Sequence, residues 1–234
     1  MAGFKTHITT STVLGVGYAG AAWYLLDVPA PTCVLAGGLC SVSGMLPDLD
    51  SDSGVPLRES IAFAAAVVPM LMLPRFRAMG LAPESVVLAG GLIYLMIRFG
   101  MARLLKHYTV HRGMFHSIPA ALIATQLAFL ICAREDLAVR YYHAGAVLLG
   151  FMSHLVLDEI WSLGMRHGHL YFKSSFGTAI KLWGQSRWGN LSAYAKVLIL
   201  SYFVLQDPVW MNHATPPGQN LRRMANQAME RIWK

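Results

Sequence analysis

Seven apolar stretches run through this 234-residue chain, and they constrain its fold more than any other feature. They are Ile8 to Leu26, about Pro31 to Leu46, Ile61 to Leu73, Val86 to Phe99, Ile118 to Cys132, Ala144 to Leu157 and the short Val197 to Leu205. Only 13% of the residues are charged, against about 25% in a typical soluble domain. A helix needs about 20 apolar residues to cross hydrocarbon, so flanking small residues must extend several stretches. We therefore expect an all-α, polytopic transmembrane helical bundle of about six to seven membrane helices, with the third and seventh stretches fitting a span least well.

The basic residues indicate the partner and the orientation. The net charge of +7 is scattered over the ends of the apolar stretches, where Lys and Arg anchor helices at lipid headgroups. No basic block is present, so we expect a lipid bilayer as partner and no direct binding of nucleic acid. With the N-terminus inside, the inner loops carry more Arg and Lys than the outer ones. This bias predicts a multi-pass protein of the inner or plasma membrane; an apolar soluble helical domain is the alternative.

The chain divides into two portions without a separate second fold. Residues 1–158 are expected to form the membrane helical core. Residues 159–234 are expected to add an aromatic and basic, partly helical cap, the weak seventh apolar helix and a C-terminal amphipathic helix. The tail after Pro216-Pro217 has apolar residues at helical spacing with Arg and Lys among them, which suits a helix on an anionic membrane surface or an ordinary exposed helix.

Imidazoles and carboxylates are concentrated at the ends of the apolar stretches. One cluster follows Pro47, a second lies just before the fifth stretch, and a third ends the sixth stretch. Two apolar stretches separate each cluster from the next, so if the stretches cross the bilayer, all three clusters lie on one membrane face. His7, just before the first stretch, falls on that face too. These side chains are His7, Asp48, Asp50, His111, His116, His154 and Asp158.

Local spacing predicts how the first two clusters are presented. Asp48 and Asp50 lie two apart after Pro47, and in an extended chain such residues point the same way, so both carboxylates could reach one cation. His111 and His116 flank a turn at Gly113, with Ser117 expected as the cap of the next helix and Pro119 in its first turn. Taken singly, the first pattern also fits a polar turn and the second fits polar surface.

His154 and Asp158 lie four apart at the end of an apolar helix, so they share one face. Ionisable residues at such a depth are costly unless they are paired or functional. A plain His–Asp hydrogen bond at the helix end is the alternative interpretation. A weaker alternative metal-binding pair is His167 with His169.

Mixed imidazole and carboxylate ligands fit a divalent metal ion, with zinc favoured and manganese or iron as alternatives. Seven candidate ligands exceed the needs of one tetrahedral ion. They indicate either two ions, or one ion with outer carboxylates that orient the imidazoles. The three cysteines, Cys33, Cys40 and Cys132, lack metal or redox spacing and are read as reduced core residues.

These residues resemble those of the YdjM family, known as LexA-binding, inner-membrane-associated metal-dependent hydrolases. The resemblance rests on Thr6-His7, on Pro47-Asp48-Leu49-Asp50, on His111-Arg112-Gly113 with His116-Ser117, and on His154 with Asp158. It covers His7 to about Asp158. The family is also distantly similar to zinc-dependent phospholipase C and related nucleases, which share the His-x3-Asp element and act on phosphoesters.

The resemblance implies a membrane-bound metal-dependent hydrolase that acts on a phosphoester or lipid-derived substrate through metal-activated water. Arg112 is the candidate for stabilising developing negative charge, and Asp50 is the candidate general base, although another carboxylate of the set could take that role. The alternatives are a metal-stabilised membrane scaffold that holds a regulatory protein, and a small transporter. The candidate site is expected to face the cytoplasm.

Overall fold

The computed structural model describes residues 3–50, 54–101, 114–134, 136–166, 169–172, 177 and 179–214. Within these residues the chain forms nine α-helices, one 3₁₀ segment, one π-helical segment and one antiparallel hairpin. The α-helices are α1 Phe4–Leu26, α2 Ala30–Ser43, α3 Val55–Leu71, α4 Leu73–Ala78, α5 Pro83–Leu95, α6 Ile118–Ile131, α7 Leu137–Trp161, α8 Arg187–Leu205 and α9 Pro208–Ala214. The 3₁₀ segment is Leu46–Asp50, the π-helical segment is Met96–Met101, and the hairpin pairs β1 Leu163–Arg166 with β2 His169–Phe172.

Every predicted apolar stretch overlaps a helix, and the all-α helical bundle is confirmed. Four helical segments are long and apolar enough to cross a membrane: Val55–Ala78, Pro83–Met101, Leu137–Trp161 and Arg187–Leu205. Two apolar helices, α2 and α6, have only 14 residues. The ranking of the stretches was therefore partly wrong. The third and seventh stretches lie in long helices because preceding residues extend them, whereas the second and fifth form the short ones.

Lipid contact accounts for the apolar surface of the bundle. Helix α5 is apolar and none of its residues is buried. Val87 and Leu88 on α5 and Leu198 on α8 are among many exposed aliphatic side chains. A helix that is apolar all round is stable only in a core or in a membrane. The chain is therefore a membrane protein.

Close backbone packing holds α1, α2 and α7 together. Gly15 on α1 faces the Gly37 carbonyl of α2 so closely that a β-carbon at Gly15 would lie 2.6 Å from that oxygen. At Gly150 on α7, a β-carbon would collide with the carbonyl oxygen of Cys40 and the hydroxyl of Ser43. Small residues at such crossings let membrane helices approach each other. These contacts fix the relative positions of α1 and α7, which carry His7, His154 and Asp158, and of α2, which leads into the segment that carries Asp48.

A buried ion cluster ties the opposite end of the bundle together. Arg140 Nη1, near the start of α7, lies 2.9 Å from Asp207 Oδ2, which follows α8, and Arg75 Nη2 of α4 lies 3.6 Å from the same oxygen. The side chains of Arg140 and Asp207 are almost fully buried. This cluster fastens α4, α7 and the end of α8 to one another, far along α7 from His154.

The portion after Asp158 differs in part from expectation. Between α7 and α8 the chain forms the β1–β2 hairpin, which the aromatic and basic composition did not predict. Ile118 N donates to Lys181 O at 3.1 Å, so part of this connection packs on the first turn of α6. The expected C-terminal amphipathic helix lies outside the described residues.

Candidate metal centre

Five of the seven predicted ligand residues converge at one end of the bundle. His7 lies in the first turn of α1, Asp48 in the 3₁₀ segment, His116 just before α6, and His154 with Asp158 near the end of α7. Four of the five side chains are buried, and Asp48 alone is partly exposed. Two groups of ligand atoms in this set lie within 4.8 Å of one another: those of His7, His154 and Asp158, and those of Asp48, His116 and His154.

The segment that carries Asp48 is helical, so the predicted extended conformation after Pro47 was wrong. Met45 N donates to Val42 O at 2.9 Å and Asp48 N donates to Met45 O at 3.1 Å, which continues the turns of α2 past its end. Proline is tolerated in such a turn because it has no backbone N–H that would need a hydrogen-bond acceptor. Asp48 itself has φ −88° and ψ 15°, in the sparsely populated bridge region that active-site residues often adopt.

Ser117 fixes the position of His116. Ser117 Oγ accepts from Ala120 N at 3.3 Å, which caps α6, and donates to the carbonyl of Met114. Pro119 lies in the first turn, as the sequence predicts. The hydrogen bonds of Ser117 to Ala120 and Met114 fix the backbone next to His116. The His116 imidazole then lies beside Asp48, with Nε2 3.3 Å from Oδ1.

The hydrogen bond of His154 to Gly44 determines which of its nitrogens can bind a cation. Nδ1 lies 2.7 Å from the carbonyl oxygen of Gly44, and since a carbonyl only accepts, Nδ1 must carry the proton. In the neutral ring, Nε2 is then a lone-pair acceptor. Nε2 has no hydrogen-bond partner among the described residues. Instead it faces two carboxylate oxygens, Asp48 Oδ1 and Asp158 Oδ2, each 3.6 Å away.

A lone pair that faces two carboxylates in a buried site is unfavourable unless a cation lies between them. Nε2 of His116 joins this group, 3.3 Å from Asp48 Oδ1 and 3.8 Å from Asp158 Oδ2. Ligand bonds of about 2.0–2.1 Å around tetrahedral zinc imply distances of about 3.3–3.4 Å between neighbouring ligand atoms. The four measured separations, 3.3, 3.6, 3.6 and 3.8 Å, are close to that spacing. Within each of the two groups of three, the donor atoms are therefore close enough to bind one small divalent ion.

His7 contacts the opposite oxygen of Asp158. Its Nε2 lies 3.2 Å from Asp158 Oδ1, and its ring stacks on that of His154 with centroids 3.6 Å apart and planes 11° from parallel. His7 thus orients the Asp158 carboxylate and leaves Oδ2 directed at His116 and His154.

Asp48 is the carboxylate that solvent reaches. Its side chain is 25% exposed, against 1% for that of Asp158. Burial alone would raise the pKa of Asp48, but the close contact with His116 and the electrostatic interaction with the His154, His116 and His7 imidazoles outweigh it and lower the pKa. Asp48 is therefore an ionised group at neutral pH on the accessible side of the cluster.

Other predicted residues lie outside what the structure describes. His111 and Arg112 fall in 102–113, and the side chain of Asp50 is not described either. The alternative pair of His167 and His169 has no described side chains. The three cysteines are free and buried, as expected. Sequence reasoning missed Gly44, because a backbone carbonyl that accepts from a histidine leaves no side-chain signal.

Comparison with known proteins identifies the family. The family described as YdjM inner membrane protein matches residues 1–206, which extends beyond Asp158, where the sequence resemblance was expected to end. No curated protein and no solved structure was found to match. The match includes all five clustered residues and helix α8. The chain therefore belongs to the YdjM family of inner membrane proteins.

Proposed function

We propose that this protein is a membrane-bound, metal-dependent hydrolase that acts on a phosphoester. The observation that carries the proposal is that His154 Nε2 faces two carboxylate oxygens and has no hydrogen-bond partner among the described residues. His116, His154 and Asp158 are the proposed buried ligands, and His7 supports them by holding Asp158. Asp50 and His111 adjoin these residues in sequence and complete the proposed ligand set.

The bound ion, with zinc favoured and manganese or iron as alternatives, would supply Lewis acidity that activates water at neutral pH and polarises a phosphoryl group. The residues of the chain supply positioning and proton transfer. Buried His154 and Asp158 exclude bulk water from one side of the centre, so reactants approach from the side of Asp48.

Asp48 is the proposed proton acceptor. It is ionised and partly exposed, and its Oδ1 lies within 3.6 Å of the Nε2 atoms of both His116 and His154. A water molecule beside the centre could therefore give its proton to Asp48 Oδ1. The water oxygen forms the new bond to phosphorus, the ester P–O bond breaks, and the leaving alkoxide takes up a proton. The products are an alcohol and a phosphate; Arg112 is proposed to neutralise charge on the phosphoryl oxygens, and Asp50 is the alternative base.

One observation favours a second candidate, a metal-stabilised scaffold that holds a regulatory protein. If Asp48 binds the ion together with His116, His154 and Asp158, the tetrahedral shell is closed, and a closed shell is typical of structural sites. The enzyme requires an open position beside Asp48. The two functions therefore differ in what the Asp48 carboxylate does.

Metal analysis and turnover of purified protein test the proposal. The variants are Asp48→Asn and Asp158→Asn, with Glu159→Gln as the matched control, since Glu159 is adjacent to Asp158 but accepts from Gly177 N instead. We expect Asp158→Asn to lose both metal and turnover on a panel of phosphate monoesters and diesters. Asp48→Asn should keep the metal and lose about 10²–10⁴-fold in rate, and Glu159→Gln should keep both. Loss of metal in Asp48→Asn, with no turnover by the wild type, would favour the scaffold.

We also propose that the centre faces the cytoplasm, because the loops on its side carry the larger share of Arg and Lys. Single cysteines can test this orientation, since the three native cysteines are buried. A cysteine at Glu59, near the centre, should react with an impermeant maleimide only after the cytoplasmic side is opened. A cysteine at Asp136, at the opposite end, should react in intact spheroplasts. The reverse pattern would contradict the orientation.

A further inference from the structure

A large cavity begins at the cluster and extends along the helices away from it. Its volume is about 1720 Å³, larger than the roughly 300–1,000 Å³ of ordinary small-molecule pockets. His116 belongs both to its lining and to the metal cluster. A molecule in this cavity would therefore reach the proposed centre through His116.

Helices α3, α6 and α8 supply most of the helical lining of the cavity, and α2 and α7 add a few residues. The stripe on α3 is Ser60, Ile61, Phe63, Ala64, Val67, Val68 and Leu71; that on α6 is Ala120, Ile123, Ala124, Leu127, Ala128 and Ile131; that on α8 is Trp188, Gly189, Ser192, Ala193 and Lys196. These spacings of three and four residues define single helix faces. At 1.5 Å per residue, the α3 and α6 stripes each extend about 17 Å. That length is close to half of the roughly 30 Å hydrocarbon core, which is one leaflet.

The lining changes from polar to apolar along its length. Near the cluster it includes His116, Ser60, Lys181 and Gln185, and Lys196 at the middle of α8 is the polar lining side chain farthest along that helix. Beyond Ser60, the described lining of α3 is entirely apolar, and so is that of α6. Ser60 Oγ is buried and has no hydrogen-bond partner among the described residues, so it offers a donor to a ligand.

The charged side chains of the cavity lining favour a negatively charged ligand. Lys181 and Lys196 line the cavity, and the described lining contains no Asp or Glu. A lysine halfway along a membrane helix is costly unless it serves a partner or a pathway. An anionic group near the cluster and a hydrocarbon chain in the apolar half would satisfy both ends of the cavity.

We propose that the cavity binds an anionic membrane lipid, with a hydrocarbon chain between α3, α6 and α8 and a phosphate ester at His116. The substrate class of the proposed hydrolase is then a lipid phosphoester that enters sideways from one leaflet. The catalytic part rests on the proposed function, whereas lipid binding can be measured without it. For a monoester the balance is lipid phosphate plus water giving the lipid alcohol and inorganic phosphate.

Photolabelling with a matched pair of variants tests the binding. The probe is phosphatidic acid with a diazirine at the end of one acyl chain, added to the protein in vesicles of phosphatidylcholine. Ala64→Phe fills the cavity, whereas Ala66→Phe adds the same group to the exposed face of the same helix. Ala124→Phe on α6 is the second cavity-filling variant. Equal metal content and unchanged gel-filtration profiles establish that the variants fold.

We expect wild-type label on the α3 and α6 stripes, near Val67, Leu127 and Ile131. Ala64→Phe and Ala124→Phe should lower it at least fivefold, and Ala66→Phe should leave it unchanged. Excess unlabelled phosphatidic acid should compete, whereas diacylglycerol and inorganic phosphate should compete much less. Equal labelling in all three variants, with label on the lipid-exposed Val87 and Leu88, would mean surrounding lipid only and would overturn the proposal. Equal competition by diacylglycerol would contradict the claim that binding requires an anionic headgroup.

Turnover separates failure of this inference from failure of the proposed function. The ratio of the rate on long-chain phosphatidic acid to the rate on a water-soluble monoester such as p-nitrophenyl phosphate should fall at least fivefold in Ala64→Phe and should not change in Ala66→Phe. Turnover of the soluble ester with no chain-length dependence would contradict the lipid substrate and leave the hydrolase standing. Specific photolabelling without any turnover would contradict the hydrolase and leave the lipid site standing.

Discussion

The Nδ1 atom of His154 lies 2.7 Å from the backbone carbonyl of Gly44, and this contact joins the end of α7 to the residue that ends α2. A histidine that binds a metal usually donates its other N–H to a carbonyl or carboxylate, which fixes both tautomer and ring orientation. Here the contact with Gly44 does so through the packing of the chain itself. The direction of Nε2 is therefore built into the packing of two helices.

Removal of the His154 imidazole should abolish metal binding. His154→Ala deletes the ligand atom that both candidate groups share, so we expect less than one tenth of the wild-type metal by mass spectrometry. His143→Gln is the matched control on the same helix. His143 is buried too, but it contacts Cys132 Sγ and Thr32 O and no carboxylate. Equal metal content in the two variants would contradict the assignment.

Loss of the α6 cap should weaken the centre through His116. Ser117→Ala removes the acceptor for Ala120 N and should lower the free energy of unfolding by about 1 kcal/mol. The substitution also leaves the backbone at His116 less fixed. Metal affinity should therefore fall by about 10–100-fold, as when a group that orients a ligand is removed.

Ser186→Ala is the control for that experiment. Ser186 caps α8 by accepting from Gly189 N at 3.1 Å, so its loss should cost similar stability. It is not part of the cluster, and metal affinity should not change. Thermal unfolding in detergent and competition with a chelator measure the two quantities. An equal loss of affinity in both variants would mean that stability alone controls metal binding.

Gly150→Ala should disrupt the crossing of α2 and α7. The added methyl would collide with Cys40 O and Ser43 Oγ, and overpacking of this kind costs about 1–3 kcal/mol. Gly91→Ala on α5 has nothing within 4 Å of the new methyl and should be neutral or slightly stabilising. Thermal unfolding of both variants measures the difference. Equal unfolding temperatures would show that α2 and α7 can move apart without loss of stability.

Much of the site was readable in the sequence because its elements are local. Parity of apolar stretches placed the clusters on one face, the four-residue spacing placed His154 above Asp158, and Ser117 with Pro119 marked the start of α6. In the structure, His7, Asp48, His116, His154 and Asp158 lie at one end of the bundle, and Ser117 caps α6. The sequence does not show which oxygen faces which nitrogen in the cluster. These contacts depend on how closely α2 and α7 approach each other, and the approach depends on Gly150.

Two local expectations failed for identifiable reasons. Asp48 and Asp50 were expected in an extended conformation after Pro47, but Leu46–Asp50 forms a 3₁₀ segment with a kink at Asp48. The hairpin was not predicted, because β1 and β2 lack a clear alternation of apolar and polar residues. The cavity was not foreseen, since its three stripes lie on helices far apart in sequence.

The ion cluster at the opposite end should matter for stability but not for metal binding. Asp207→Asn leaves the buried charge of Arg140 without a partner, and breaking such a pair costs about 3–5 kcal/mol. Arg75→Gln removes a half-exposed partner at 3.6 Å and should cost no more than about 1 kcal/mol. Protein of either variant that remains folded should carry the wild-type amount of metal. Selective metal loss in Asp207→Asn at unchanged unfolding temperature would contradict this separation.

X-ray absorption at the metal edge of zinc-loaded protein tests the central claim most directly. The account predicts nitrogen and oxygen ligands at about 2.0–2.2 Å with imidazole scattering beyond them, and no sulfur near 2.3 Å. The imidazole signal of the bound fraction should weaken in His154→Ala and in His116→Ala, because each variant keeps the other imidazole ligand. A sulfur-ligated ion, or a protein that binds no zinc at all, would contradict the claim that these histidines and aspartates form a metal centre.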